Sequence, residues 1–559
     1  MTEYVITETG QFSALTLYGG DRVTTNDVSI AEKWAIGQSG TSGHQISLDH
    51  VSLNGATDYN LDFTGRSYLT ISNLVVNGAT VRNIWSDSTA SGLVLNNITS
   101  IGGVTGIWIR SKSNSQYSNI NASGMTGAGF RLTNAASNVT LENITTVGGS
   151  SSYGSIDIES IVGLSFNHLG ATDALSIGVY IGSCSGIVSG SYLSSVDSYN
   201  ATYPGVYFKD NTFSSGTISN ITVTGSYSNG LGLDANNIPN VIFSDIISTG
   251  NTTSGIDSNG SSTTFRDFVS SSNSWSGFSA RGTSGANVVR NGVVQNNLWD
   301  GLASAGASVI NADNIIISGN GTVGQINSGD GFTSHDTSTG NSLVRSVIYN
   351  NKNTALAVIG TSSGIFNNNT CVDNHVATMV RGSLWFANSS NSPGWSCKNN
   401  IVVNNTSMTG DAWGGILVMI YSGGVVPVLD YNCYWSTTNP TPFWVYNGGN
   451  AADPSGYNKY TFEQWKTYSG QDTHSIFADP LFVDSALHDY RLQKTSPCIA
   501  TGTDVGLRED AYGNHIYGLP NIGATERVPV APVISDNFFI GSDGTTAMEG
   551  QLRDPRVTS

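Results

Sequence analysis

Residues 129–147 read Gly129-Phe-Arg-Leu-Thr-Asn-Ala-Ala-Ser-Asn-Val139-Thr-Leu-Glu-Asn143-Ile144-Thr-Thr-Val147. A glycine opens a short alternating strand, Val139 begins a second that ends at Asn143, and Ile144 begins a third at once. Period-two alternation marks half-buried strands, and the Asn/Ala/Ser cluster between them marks a turn. Working outward, the same unit returns as Gly-Ile-Trp-Ile-Arg at 106–110 and Gly-Val-Tyr-Phe-Lys at 205–209. The opening glycine recurs at Gly106, Gly129, Gly154, Gly178, Gly205, Gly230, Gly255, Gly277, Gly301 and Gly331, with gaps of 22 to 30 residues. An apolar residue follows each of them except Gly154, which precedes Ser155.

Three short strands in a unit of about 24 residues make one coil of a right-handed parallel β-helix; a propeller blade needs about 40. Coils stack at about 4.8 Å, so equivalent residues form ladders. The residue after the glycine points inward, and Ile107, Phe130, Val179, Val206, Leu231, Ile256, Phe278, Leu302 and Phe332 form one apolar stack. Corner residues Asn97, Asn119, Asn143 and Asn220 form an amide ladder expected to satisfy the turn backbone of the next coil. Earlier coils are less regular, at His44–Leu48, Leu61–Phe63 and Tyr68–Ile71. The organisation expected is a cap or attachment segment at 1–43, the helix at 44–425, a closing segment at 426–526, and a linker with a short tail at 527–559.

Composition agrees. Glycine (66 residues), with serine, threonine and asparagine, dominates, only 11% of residues are charged, and 38% hydrophobic content suffices for a core and excludes disorder. The net charge of −17 excludes nucleic acid as a partner, because no basic patch could neutralise phosphates. No run of 18 apolar residues occurs, so no membrane insertion is expected. The opening Met1-Thr2-Glu3-Tyr4 lacks the basic and apolar regions of a signal peptide. Cys184, Cys371, Cys397, Cys433 and Cys498 are too scattered for a disulfide framework or zinc site and read as buried thiols.

The most specific segment is C-terminal. Tyr431-Asn-Cys-Tyr-Trp435, Phe477-Ala-Asp-Pro-Leu-Phe-Val-Asp484, Asp489-Tyr-Arg-Leu492, Ser496-Pro-Cys-Ile499 and Asn521-Ile-Gly-Ala-Thr-Glu526 occur in that order. Together they resemble the closing segment of bacterial and phage β-helix proteins related to pectate lyases. The resemblance covers about residues 40 to 526. It implies the fold, and it leaves activity open, because one fold hosts many functions. Asp330-Gly-Phe-Thr-Ser-His-Asp336 is similar to a motif of mannuronan C5-epimerases, with Thr333 and Ser334 in place of Asp and Pro. That departure removes an acid the chemistry uses, so the activity does not carry over.

Outward ladders follow from alternation. Two residues after the glycine lie Trp108, Arg131, Tyr180, Tyr207 and Asp257; four after lie Arg110, Lys209, Asp234, Asn259, Arg281 and His335. In a chain this poor in charge, the face is the candidate polysaccharide site. As a hydrolase, Asp234 and Asp257, about 5–9 Å apart, would be acid and base or nucleophile. As a lyase, Arg281 would neutralise a uronate while Lys209 takes its proton. His335, with Asp336 beside it, is a third acid/base candidate. The bland alternative is an inert ladder of ion pairs, Lys209 with Asp234 and Asp257 with Arg281. Tyr203, Trp275 and Trp299, two residues before the glycine, form a ridge suited to the apolar faces of sugars.

The leading expectation is a phage tailspike or fibre, a homotrimer on the virion surface that binds host polysaccharide, joined to other virion proteins through a terminus, with depolymerisation of the glycan left open. A secreted bacterial polysaccharide lyase or glycoside hydrolase is the alternative, and a non-enzymatic adhesin or structural virion protein the third. No cofactor is called for; an acidic surface is able to hold Ca²⁺ between aspartates of adjacent coils, and no motif commits to it.

Overall fold

The computed structural model describes residues 59–63, 69–87, 91–110, 113–134, 136–149, 154–196, 203–234, 236–321, 329–374, 381–388, 394–406, 414–421, 425–448 and 454–526, with short strands between 3 and 54. The tail at 527–559 lies outside the described residues. With 56% strand and 3% helix, the protein is an all-β, right-handed parallel β-helix of ~24-residue coils. It falls into two compact units, Met1–Asp257 with Ser261–Thr264, and Ser258–Gly260 with Phe265–Ser559.

In the first unit, the strands after the repeat position stack in parallel and in register: Arg82–Asp87, Thr105–Arg110, Phe130–Thr133, Ile156–Glu159, Val179–Gly182, Val206–Lys209 and Leu231–Asp234. The second and third strands of each coil run together as one bent strand, as in Ser115–Met125, Ser137–Gly148 and Val162–Thr172. The bend is a single left-handed residue, and Asn97, Asn119, Asn143 and Asn220 hold it at φ between 52° and 55°. Asparagine tolerates that conformation better than any residue but glycine. Parallel pairing reaches the start of the chain, where Glu3–Ile6 pairs with Arg22–Thr25 and the latter with Ser47–Asp49.

The stacking explains the glycines. A Cβ on Gly178 would lie 2.7 Å from the Gly205 carbonyl and 2.1 Å from the Ser195 hydroxyl, so the next coil leaves no room for one. Inside this layer, Ile107, Phe130, Ile156, Val179, Val206, Leu231 and Ile256 are all 0% exposed. One coil corrects the sequence reading: Phe130 pairs with Ile156, so the residue equivalent to Gly129 is Ser155 and not Gly154. Ser155 fits because its hydroxyl donates to the Gly148 carbonyl at 2.7 Å.

The corner asparagines correct it again. Asn143 donates to the Asn119 side chain at 3.0 Å on the exposed surface, and no turn backbone is served. The amides that satisfy turn backbone are a different, buried set. In the second unit, Asn273, Asn297, Asn320, Asn351 and Asn374 form a ladder in which each from Asn297 on accepts from the backbone N–H and the side-chain amide of the asparagine before it. Each is 0–1% exposed.

The second unit repeats the parallel stack from Phe278–Arg281 through Leu302–Ser304, Phe332–Ser334, Leu356–Gly360, Leu384–Asn388 and Val418–Ile420 to Phe443–Tyr446. Stacking ends where Tyr457–Tyr460 returns antiparallel to Phe443–Tyr446. The helix Phe462–Ser469 follows, started by a Thr461 capping box. Asp472, 1% exposed, ties this end together by accepting from Trp465, Tyr434 and Ser475 at 2.6 to 3.1 Å. Tyr490, Leu492, Cys498 and Ile522 then pack against Ile401, Val403 and Cys433. All five cysteines are buried and free. Cys371 pairs with Ile348 and Val402, whereas Cys397 pairs with Phe366 and Leu429, which puts them in different rows. No helix among the described residues is long and apolar enough to cross a membrane.

Asn320→Ala is expected to cost about 2–4 kcal/mol, because it strips two donors of Asn297 and leaves them buried. Asn143→Gly, on the exposed bend, is expected to change stability by less than about 0.5 kcal/mol. Chemical denaturation of both variants checks the contrast, and equal losses would contradict the division of labour between the two amide sets.

Candidate functional site

Strand register sets two outward columns on the first unit. One runs Trp85, Trp108, Arg131, Asp157, Tyr180, Tyr207 and Gly232. Two positions along, the other includes Asp87, Arg110 and Thr133, then Glu159, Gly182, Lys209 and Asp234. Trp108, Arg131, Tyr180 and Tyr207 therefore share one column, and Arg110, Lys209 and Asp234 the other, as their spacing predicts.

Two acids were missed. Counting the fourth coil from Gly154 shifts its register by one residue and turns Asp157 and Glu159 inward. In the structure both join the outward face. The Asp157 side chain is fully buried, 2.6 Å from Arg131 Nε, and Arg131 Nη2 lies 3.8 Å from Glu159, which is 27% exposed. The Asp157 carboxylate accepts no aligned hydrogen bond, so the contact is an ion pair only. Burial, with Glu159 adding repulsion, pushes Asp157 up to about 7 against the pull of Arg131.

Gly182 leaves a gap between Glu159 and Lys209, and the Tyr180 ring fills it: a Cβ there would lie 2.4 Å from the Tyr180 hydroxyl. Burial raises the Tyr180 and Tyr207 phenols well above their ordinary range, so both are O–H donors at neutral pH. The Tyr207 hydroxyl donates a hydrogen bond to Asp234 at 3.0 Å. The Lys209–Asp234 ion pair of the inert reading is not formed, and Lys209 is half-buried without an ion pair among the described residues. Asp257, 6% exposed, accepts from Asn229 at 3.0 Å. Asn229 in turn accepts from Thr253 at 2.6 Å, which fixes Asp257 to its turn.

At the N-terminal end of the face lies an aromatic-cation cluster that sequence reading passed over. The Arg82 guanidinium sits 4.2 Å from the Trp85 ring and 4.2 Å from the Trp108 ring, and Arg131 lies 4.4 Å from the Trp108 ring. Arg110 is paired with Asp87 at 3.1 Å. The coil of Arg82 and Trp85 carries no repeat glycine, yet Arg-Asn-Ile-Trp at 82–85 aligns with Thr-Gly-Ile-Trp at 105–108 and would have extended the column to them.

The remaining predicted residues, Tyr203 apart, belong to the second unit. Asn259 and Arg281 are exposed. Trp275, 40% exposed, stacks on Trp299 with centroids 5.1 Å apart and planes at 14°. Tyr203, 43% exposed, stands on a turn of the first unit. Burial lowers the pKa of His335, which is therefore neutral at pH 7. Asp336 does not orient its ring as expected and instead accepts the Gly306 amide at 3.2 Å. Asp330, at the head of the epimerase-like segment, is 1% exposed, bound to Arg381 at 3.0 Å and to Thr354 at 2.8 Å. Asp300 accepts the amides of Gly329 and Asp330 at 2.9 and 3.0 Å, and burial beside Asp330 raises its pKa. This pair braces turns. Among the described residues no three His, Cys, Asp or Glu side chains converge as metal ligands do.

No protein-family model and no curated protein sequence matches the chain. Among solved structures it is similar to pectate lyase Pel9A, at 15% identity and a TM-score of 0.39 over 70% of this chain and 88% of that one. It is similar to the A-module of the Azotobacter vinelandii mannuronan C-5 epimerase AlgE6, at 13% identity and a TM-score of 0.27 over 59% and 86%. A mutant tailspike protein of E. coli bacteriophage HK620 in complex with pentasaccharide gives 11%, 0.30, 79% and 72%. The coil geometry itself defines the fold, and these likenesses add nothing to it.

The position of Asp157 has a measurable consequence. Its pKa stands at about 7 in the folded protein, above the ordinary carboxylate value. Between about pH 4 and 7 the native state therefore holds a proton that the unfolded chain has lost, and stability falls as pH rises. Asp157→Asn is expected to flatten the profile by up to about 1.4 kcal/mol per pH unit in that window. Urea denaturation from pH 4 to 8 reads the effect; profiles that run parallel would show that Asp157 titrates normally.

Proposed function

We propose that this chain is a polysaccharide-binding β-helix of the tailspike type, displayed on a virion surface or outside the cell, whose first unit both holds and depolymerises the glycan. One observation carries the reading: Trp108, Arg131, Asp157, Tyr180 and Tyr207 fall in register on successive coils, beside Glu159, Lys209 and Asp234. Rings and charges repeating at about 4.8 Å suit a linear polymer of sugars better than a compact ligand. Glu159, Lys209 and Asp234 are the acid/base groups of this reading, with Tyr180 and Tyr207 as phenol donors to sugar or leaving-group oxygens. Trp275, Trp299 and Tyr203 offer ring-stacking surface on the turns. Exposed Val162, Ile187 and Tyr192, 49 to 65% accessible, are apolar surface that subunit contact in a homotrimer would cover. Other virion proteins would join through a terminus.

A second reading is favoured by the burial of Asp157 and Asp257: with these acids held under the surface, the face recognises a glycan without cutting it.

Incubation with acidic and neutral bacterial polysaccharides, following absorbance near 235 nm and reducing ends together, separates the readings, since only elimination yields an unsaturated uronate. A rise in both signals identifies a lyase, and reducing ends alone a hydrolase. In either case Glu159→Gln or Lys209→Met is expected to lower the rate at least about 100-fold, the usual contribution of one acid/base group. Binding without either signal leaves the non-enzymatic reading, and absence of binding across the panel refutes a polysaccharide function.

A further inference from the structure

Arg82, like Lys209, is a cation on this face that no acid among the described residues neutralises. Arg110 has Asp87 and Arg131 has Asp157, whereas Arg82 forms no ion pair among the described residues and donates only to the Tyr59 hydroxyl, at 3.1 Å. It is half-buried, with its guanidinium 4.2 Å from the rings of both Trp85 and Trp108. The indoles meet edge to face at 5.0 Å, and Tyr59 stacks on Trp85 at 6.1 Å and 15°. Cation–π contact holds the fork in one place, and most of its N–H donors remain unspent.

We propose that Arg82, held between Trp85 and Trp108, is a subsite for an oxyanion carried on a sugar ring, so that the glycan this protein binds is an acidic one. The inference rests on the polysaccharide reading and specifies its substrate class. Withdrawing a guanidinium from water without a counter-charge is costly, and a structural brace would do as well with a partner acid beside it. A chain with 40 acidic against 23 basic residues has acids to spare for one, and yet leaves Arg82 unpaired. The missing charge is one a ligand supplies. A guanidinium fork matches a carboxylate or a sulfate or phosphate ester bidentately, and the flanking indoles take the apolar face of the ring that bears it. At −17 overall the protein repels polyanions in general, so retention of an acidic glycan requires a local cation of this kind.

Alginate oligosaccharides, the same oligosaccharides after carboxyl reduction, dextran sulfate and neutral dextran are titrated into the full chain by calorimetry at fixed ionic strength. Alginate or dextran sulfate is expected to bind at least about tenfold tighter than its neutral counterpart, each charged contact being worth about 1.5–3 kcal/mol. Preference for alginate over dextran sulfate names a carboxylate, and the reverse names an ester. Arg82→Gln is expected to abolish the preference for charge, and Arg82→Lys to recover only part of it, since an ammonium keeps the charge and loses the fork. Equal affinity for charged and neutral glycans overturns the subsite and leaves polysaccharide binding standing. So does an Arg82→Gln variant that melts earlier but binds as before, since Arg82 would then be a brace alone. Binding of none of the four overturns both readings. Where Arg82→Gln fails to fold, the wild-type comparison of alginate with its reduced form still decides.

Discussion

Register between one coil and the next is the constraint on which everything else depends. Each short strand gives its N–H and C=O groups to the coils before and after it, so a residue inserted in one coil must be absorbed at a turn or it displaces a whole ladder. The glycine position follows from that closeness: at Gly178 and Gly230 a Cβ would meet the backbone of the following coil. So does the buried amide ladder. A turn that cannot reach water needs a partner moving with the stack, and Asn297 on Asn320 on Asn351 supplies one per coil. The same stack must end somewhere. An antiparallel return, the Phe462–Ser469 helix and the buried carboxylate of Asp472 close the second unit, where another coil would otherwise add.

What register does for the core it also does for the surface. Identical spacing puts like side chains about 4.8 Å apart, favourable for rings and unfavourable for charges. The first unit resolves this by alternation. Arg82 lies beside Trp85 and Trp108, Arg131 sits between Trp108 and Asp157, and the column then returns to the uncharged rings of Tyr180 and Tyr207. Asp157 bears the cost. Placed between an arginine and the edge of an aromatic column, it is dry enough that burial outweighs its ion pair.

Sequence disclosed the fold because the physics of one coil is repeated and each repetition is a fresh reading of the same rule. The inward residues from Ile107 to Leu231 in the first unit and from Phe278 to Phe332 in the second, and the outward columns of Trp108, Arg131, Tyr207 and Lys209, could be counted from the glycines alone. Counting failed where the marker failed. At Gly154 the repeat position is taken by Ser155, whose hydroxyl folds back to Gly148, and one residue of error concealed Asp157 and Glu159. At 82–85 an asparagine, Asn83, stands in the glycine's place, and its column went unread. The two asparagine ladders were confused for another reason. Both satisfy the same composition rule, and only burial separates the exposed left-handed bend at Asn143 from the internal amide at Asn320.

His335 and Asp330 show where motif and geometry part. The segment Asp330–Asp336 is similar to a catalytic motif, but its two aspartates are already engaged, Asp330 by Arg381 and Thr354, and Asp336 by the Gly306 amide. A carboxylate that has spent its lone pairs on turn backbone and a buried guanidinium is a poor proton carrier, whatever its neighbours in sequence. The first unit presents the opposite case. Glu159 is partly exposed, Lys209 is half-buried without an ion pair among the described residues, and no familiar motif surrounds them. Stacked coils bring them together from positions 50 residues apart, at the same point of the repeat. In a solenoid, chemistry assembles across coils rather than along the chain, so a short motif carries less weight here than a column of unlike residues held in register.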